Sequence, residues 1–81
     1  MASLGERVKY ERERRRYSQE ALAAAALISQ GLLSRIESGK TVAPSGEVIK
    51  RLARALWVTT DYLLCMDDED SEQFPTVTAL A

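Results

Sequence analysis

The chain has 81 residues, is 46% apolar and carries a formal charge of −1. That length holds one domain, since a hydrophobic core takes roughly 50 residues or more, and the longest apolar run, residues 21 to 28, is far below the roughly 20 residues of a membrane span. One cysteine and no histidine exclude an intramolecular disulfide, histidine acid–base catalysis, Ser/His and Cys/His dyads and the usual zinc sites. The N-terminus is charged by Glu6 and reads as no signal peptide, so a cytoplasmic, non-enzymatic protein without cofactor or metal is expected.

Helices follow from caps and periodicity. Ser3-Leu4-Gly5-Glu6 has the form of a capping box and predicts a helix over residues 4 to 15. Its apolar side holds Leu4 and Val8, and Glu11 sits where a third apolar residue would thicken a thin stripe. Ser18 caps a second, alanine-rich helix over 19 to 26. Ser29 caps a third over 30 to 37, stopped by Gly39, which suits a left-handed turn. Pro44-Ser45 opens a fourth over 46 to 56. There Val48, Ile49, Leu52, Ala55 and Leu56 share one side, while Glu47, Lys50, Arg51 and Arg54 share the other. Thr59 caps a short fifth helix over 60 to 64. No strand alternation precedes residue 74, so the expected fold is all-α, a compact bundle of five short helices.

The net charge divides along the chain. Residues 1 to 64 hold all 11 Lys and Arg against seven acids, and residues 65 to 81 hold five acids and no base. A basic domain over 1 to 66 is thus expected to precede an acidic tail over 67 to 81, which either stays disordered or joins a dimer contact.

The stretch Gln19 to Gly39, QEALAAAALISQGLLSRIESG, carries the most information. Its two short helices are separated only by Leu27-Ile28-Ser29, which forces a steep crossing, and Ala23 lets the backbones approach. On the second helix Leu33 and Ile36 face inward, with Leu32 at the margin. Gln30, Gly31, Ser34, Arg35 and Ser38 face outward. Arg and Gln suit guanine and adenine edges, and a helix-turn-helix needs such a face to enter a major groove.

In LGERVK, SQEALA, ISQGLLSRIESGK and APS…LARAL…TTDYLL, at their spacing over residues 4 to 64, the chain resembles the Cro/repressor-type, lambda repressor-like helix-turn-helix regulators of bacteria and phages. The resemblance implies a base-reading row of Gln30, Gly31, Leu32, Ser34 and Arg35, with Leu32 able to touch a thymine methyl. It implies phosphate contacts at Gln19, Ser29, Ser38, Lys40 and Arg16, with Gln19 also bracing Gln30. Arg12 and Glu37 match a partly buried ion pair that positions the recognition helix. Plainer alternatives stand beside these roles: a first-turn residue for Gln19, a core margin for Leu32, a charged helix end for Arg14, Arg15 and Arg16. Lys50, Arg51 and Arg54 read as a solvated face.

Three positions where the family commonly has glycine carry Arg16, Leu27 and Trp57. A side chain in a left-handed turn costs about 1 kcal/mol or more. Either the turns adjust, or burial of Leu27 and Trp57 offsets the strain, or the local geometry differs.

Two functions follow. The first is a homodimeric, sequence-specific double-stranded DNA-binding regulator, a repressor by preference, acting on a near-palindromic operator. Its dimer surface is drawn from Trp57, Val58, Tyr62, Leu63, Leu64 and Phe74. The alternative is a protein-interaction module, such as an antitoxin or a bridging coactivator, whose protein partner meets the C-terminal segment. Neither reading needs a membrane.

Overall fold

The computed structural model describes residues 3–65, so the acidic stretch and Phe74 lie outside the described residues. The helices are α1 (Leu4–Arg14), α2 (Gln19–Ala26), α3 (Gln30–Ser38), α4 (Gly46–Leu56) and α5 (Thr60–Leu63), with no strand among the described residues. All five begin in the same way. The side-chain oxygens of Ser3, Ser18, Ser29, Ser45 and Thr59 accept the backbone N–H of Glu6, Ala21, Leu32, Val48 and Tyr62. Each cap satisfies one of the amides that a helix start leaves without a partner. At Ser3 the box is reciprocal, since the Glu6 carboxylate accepts the Ser3 amide at 2.9 Å. The ends differ slightly from the periodicity: α1 and α5 stop one residue early and α3 gains Ser38.

The core sits between the helices and is built from one to three residues of each: Val8; Leu22, Ala23 and Ala26; Leu33 and Ile36; Leu52, Ala53 and Leu56; and Leu63. Leu63 is 0% exposed, which corrects its assignment to a dimer surface. A four-residue helix closes the bundle by turning its one aliphatic side chain inward, and Leu63, its last residue, is that side chain. No helix among the described residues is long and apolar enough to cross a membrane.

The crossing of α1 on α3 is set by a glycine. A Cβ on Gly5 would collide with the backbone carbonyl oxygen of Ile36 and crowd Glu37. Nothing but hydrogen at that position lets the start of α1 lie directly on the α3 backbone.

Arg16, Leu27 and Trp57 adopt φ of 61°, 59° and 59°. The left-handed turns are therefore kept with side chains in place of glycine. Burial does not offset the strain, because Leu27 is 73% and Trp57 87% exposed. The compensation comes from the residue that follows each. Tyr17, Ile28 and Val58 donate their N–H to the carbonyls of Arg12, Ala23 and Ala53, each at 3.0 Å. This is the long closing bond of a Schellman end, and Ile28 and Val58 complete it by packing on the core.

Gly5→Ala is expected to lower unfolding stability by roughly 1–3 kcal/mol despite alanine's better helix propensity, because the obstacle is backbone and cannot rotate away. Chemical denaturation of the two proteins measures it, and an unchanged midpoint would disprove the close approach.

Candidate nucleic-acid interface

Helix α3 presents a short polar face held on a buried apolar one. Leu33 and Ile36 point into the core, while Gln30, Gly31, Ser34, Arg35 and Ser38 are exposed and Leu32 is half-buried. The Arg35 guanidinium runs back toward the helix start, where a Cβ on Gly31 would meet its Nη1 at 3.6 Å. The missing side chain at position 31 thus leaves room beside Arg35 without being required by it. The Ser29 hydroxyl oxygen is engaged as the N-cap of α3 at 3.1 Å, and its O–H remains able to donate outward. Ser38 donates its hydroxyl to the Arg35 carbonyl at 3.2 Å, and Lys40 is exposed just past Gly39, whose φ of 87° turns the chain sharply.

The other end of α3 is clamped to α1. Arg12 donates Nε to Glu37 Oε2 at 2.7 Å and Nη2 to Oε1 at 3.0 Å, a two-pronged pair with side chains 12% and 4% exposed. Its third nitrogen, Nη1, donates to the Tyr17 carbonyl at 2.8 Å, tying the fork to the α1–α2 turn. The hydrogen bond to Glu37 raises the Arg12 pKa further above its ordinary value, against the opposing effect of burial. Gln19 Nε2 donates to Glu37 Oε1 at 3.1 Å. This corrects the expectation that Gln19 braces Gln30: the charged acceptor near the end of α3 draws the amide instead, so Gln19 supports the clamp.

A second cluster was not legible in the sequence. Glu11 is only 4% exposed, yet it bears a charge. Burial pushes its carboxyl up, but hydrogen bonds from Tyr62, Arg15 and Arg14 together outweigh this and hold it at about 2. The Tyr62 hydroxyl donates to Oε2 at 2.7 Å, Arg14 Nη2 to Oε1 at 3.0 Å, and Arg15 also to Oε1. In turn the Glu11 hydrogen bond, with burial, pushes the Tyr62 phenol up to about 12. Arg7, also buried, donates Nη1 to the Tyr62 carbonyl at 2.8 Å and stacks its guanidinium 4.6 Å from that ring's centre. The position read as a gap in the apolar stripe of α1 is thus an anchor for α5. The one available signal was a tyrosine near the end of the motif together with arginines three and four residues after the glutamate.

Between α1 and α3 runs a groove of about 400 Å³, lined by Lys9, Arg12, Glu13, Gln19, Ser34, Glu37 and Ser38. Lys9, exposed on its rim, is a cation beside the polar face of α3 that sequence reasoning passed over. Arg16 is exposed at the end of α1. Away from this face, Trp57 stands out from the end of α4, with Val58 and Tyr62 half-buried beyond it and Leu64 exposed. Among the described residues no cluster of His, Cys, Asp and Glu is placed to hold a metal.

This arrangement, two short helices crossing at a tight turn with the second held by an ion pair from α1, defines a helix-turn-helix domain. A helix-turn-helix family model matches residues 8–63. The chain is 38% identical over 64 residues to the HTH-type transcriptional repressor RghR of Bacillus subtilis (strain 168), covering 79% of this chain and 47% of that protein. It thus spans about half the length of the curated relative it matches. Among solved structures, the P22 c2 repressor in complex with synthetic operator 9T in the presence of Tl+ superposes with a TM-score of 0.76 at 32% identity. That match covers 82% of this chain and 98% of the repressor chain. The chain belongs to the helix-turn-helix family of lambda repressor-like transcriptional regulators. This is a class of DNA-binding regulators rather than of enzymes.

The Glu11 cluster sets a pH dependence. Its carboxyl lies near 2 when folded against 4.5 as the ordinary value. The stabilisation is therefore complete above about pH 5 and is lost as pH falls toward 2, amounting to roughly 3 kcal/mol. The difference in unfolding free energy between the wild type and Glu11→Gln is expected to narrow steadily between pH 5 and pH 2.5. A difference constant over that range in urea titrations would remove Glu11 as the source.

Proposed function

We propose that this chain binds double-stranded DNA as a homodimer, inserting α3 into the major groove of each half of a near-palindromic operator, and that it represses transcription. The observation that carries the reading is the α3 face itself. Gln30, Ser34 and Arg35 are exposed in a row on a short helix whose angle is held by the Arg12–Glu37 fork. The likeness to a repressor whose structure holds operator DNA supports it.

Roles divide by chemistry. Arg35 and Gln30 reach base edges, where a guanidinium pairs with guanine and a carboxamide with adenine. Ser34 adds a hydroxyl, Gly31 permits close approach, and Leu32 offers apolar contact at the margin. Ser29, Lys40, Arg16 and the second hydrogen of the Gln19 amide face phosphates, joined by Lys9 on the rim of the groove, and Ser38 reaches one by turning its hydroxyl from the Arg35 carbonyl. Such contacts release counterions and make affinity fall with salt. Trp57, Val58 and the exposed edge of Tyr62 form the self-association surface. Two-fold pairing there sets the recognition helices about 34 Å apart, one turn of DNA. The interaction-module alternative rests on the C-terminal segment, outside the described residues, and no observation favours it.

On an operator selected from a random DNA pool, Arg35→Ala is expected to weaken binding by roughly 1–3 kcal/mol and relax preference at one base pair. Lys9→Ala is expected to weaken all sequences alike and reduce the log–log salt slope by about one. Fluorescence titrations in increasing salt measure both, and full affinity in Arg35→Ala would exclude α3 as the reading face.

Trp57→Gly separates folding from association. Glycine relieves the left-handed turn, so monomer stability is expected to rise by about 1 kcal/mol. Loss of an exposed indole removes the residue type that most often anchors an interface, so the dimer is expected to weaken at least tenfold in sedimentation equilibrium. An unchanged dimer constant would move the two-fold contact elsewhere.

A further inference from the structure

Helix α1 sends consecutive side chains to two different helices. Glu11 takes the Tyr62 hydroxyl of α5, and Arg12 takes the Glu37 carboxylate of α3. Residues one apart on a helix point about 100° apart, so these two contacts together fix the rotation of α1 about its own axis. Tyr62 is well placed to set that rotation. Its ring lies against the Arg7 guanidinium and its carbonyl accepts from Arg7, so its position is determined before the hydroxyl is considered. Within the Glu11 carboxylate the labour is divided: Oε1 takes Arg14 of its own helix and the C-cap Arg15, and Oε2 takes Tyr62. The arginines move with α1 and cannot orient it. Among the described residues, Tyr62 is the single side-chain partner of Glu11 from beyond α1 and its C-cap.

We infer that Tyr62 is a positioning residue for the recognition helix, acting through Glu11 and α1 on the Arg12–Glu37 fork. Without the hydroxyl, Oε2 is a charged atom in a nearly closed site with no donor, and α1 turns to hydrate it. A two-pronged guanidinium–carboxylate pair depends on direction as well as distance. A small rotation of α1 therefore frees Glu37 and with it the tilt of α3. Base reading requires that tilt, whereas electrostatic attraction to phosphates does not.

The inference rests on the DNA-binding reading and is tested in the full 81-residue chain with Tyr62→Phe, Glu37→Gln and the double variant. Phenylalanine keeps the ring against Arg7 and removes one oxygen. Tyr62→Phe is expected to weaken selected-operator binding about tenfold while random-sequence binding changes less than twofold. The double variant is expected to bind no worse than the weaker single one, because both break one chain of contacts. Distant, independent residues would instead multiply their effects.

Amide hydrogen exchange without DNA supplies a readout that does not depend on the function. Tyr62→Phe is expected to lower protection of the Leu33 and Ile36 amides of α3 more than that of Leu52 in α4. Equal losses of operator and random binding, multiplicative effects in the double variant, or exchange changes confined to α5 would each overturn the inference. A wild-type protein with no salt-dependent DNA binding would sink the DNA reading instead, and the exchange comparison would still decide whether Tyr62 holds α3.

Discussion

The fork between Arg12 and Glu37 organises the face that this domain offers to a partner. It joins the first helix to the third across 25 residues of sequence, at 2.7 and 3.0 Å, and is almost closed to water. Its net contribution to stability is modest, since removing two ions from water offsets much of their attraction. Its value is directional. The Tyr17 carbonyl holds the third guanidinium nitrogen and Gln19 shares the carboxylate, so helix, turn and helix meet at one planar arrangement. Removing one member strands a charge in a closed site, and the loss then far exceeds what the intact pair contributes.

The rest of α1 serves the same geometry. Gly5 lets its first turn touch the α3 backbone, Val8 enters the core, and Glu11 ties its far side to α5. An eleven-residue helix with only two apolar positions facing the core would be marginal by hydrophobic burial alone. Polar contacts to three other elements hold it instead: the Arg12 fork to α3, the Tyr17 carbonyl of the α1–α2 turn, and Tyr62 of α5. This explains how a helix so rich in arginine and glutamate can occupy the centre of the domain.

Much of the fold was legible because it is written in local chemistry. Five hydroxyl residues, each three before the amide it caps, marked the five helix starts. The wide apolar side of α4 and the Leu33/Ile36 pair marked what faces inward. Apart from the Arg12–Glu37 pair, which the family resemblance supplied, what escaped the sequence was decided by distance in space. Glu11 looked like a flaw because its tyrosine partner is 51 residues away, and nothing in the periodicity singles out Gly5, because the Ile36 carbonyl above it is a contact in space. Gln19 was placed on the wrong end of α3, since spacing says which helix lies near but not which charge draws an amide. The three left-handed turns were located correctly. Their compensation was not, because it lies in the backbone bond and core contact of the following residue rather than in the side chain at the turn.

The low carboxyl of Glu11 bears on how the fold responds to acid and to salt. Arginine stays protonated at every biological pH, the chain contains no histidine, and the most deeply buried carboxylate of α1 ionises near 2. The tie from Glu11 to Tyr62 therefore keeps its charge in mildly acidic solution as in neutral solution. Salt divides the molecule in the same way, because it screens the exposed Lys9, Arg16 and Lys40 far more than a carboxylate closed to water.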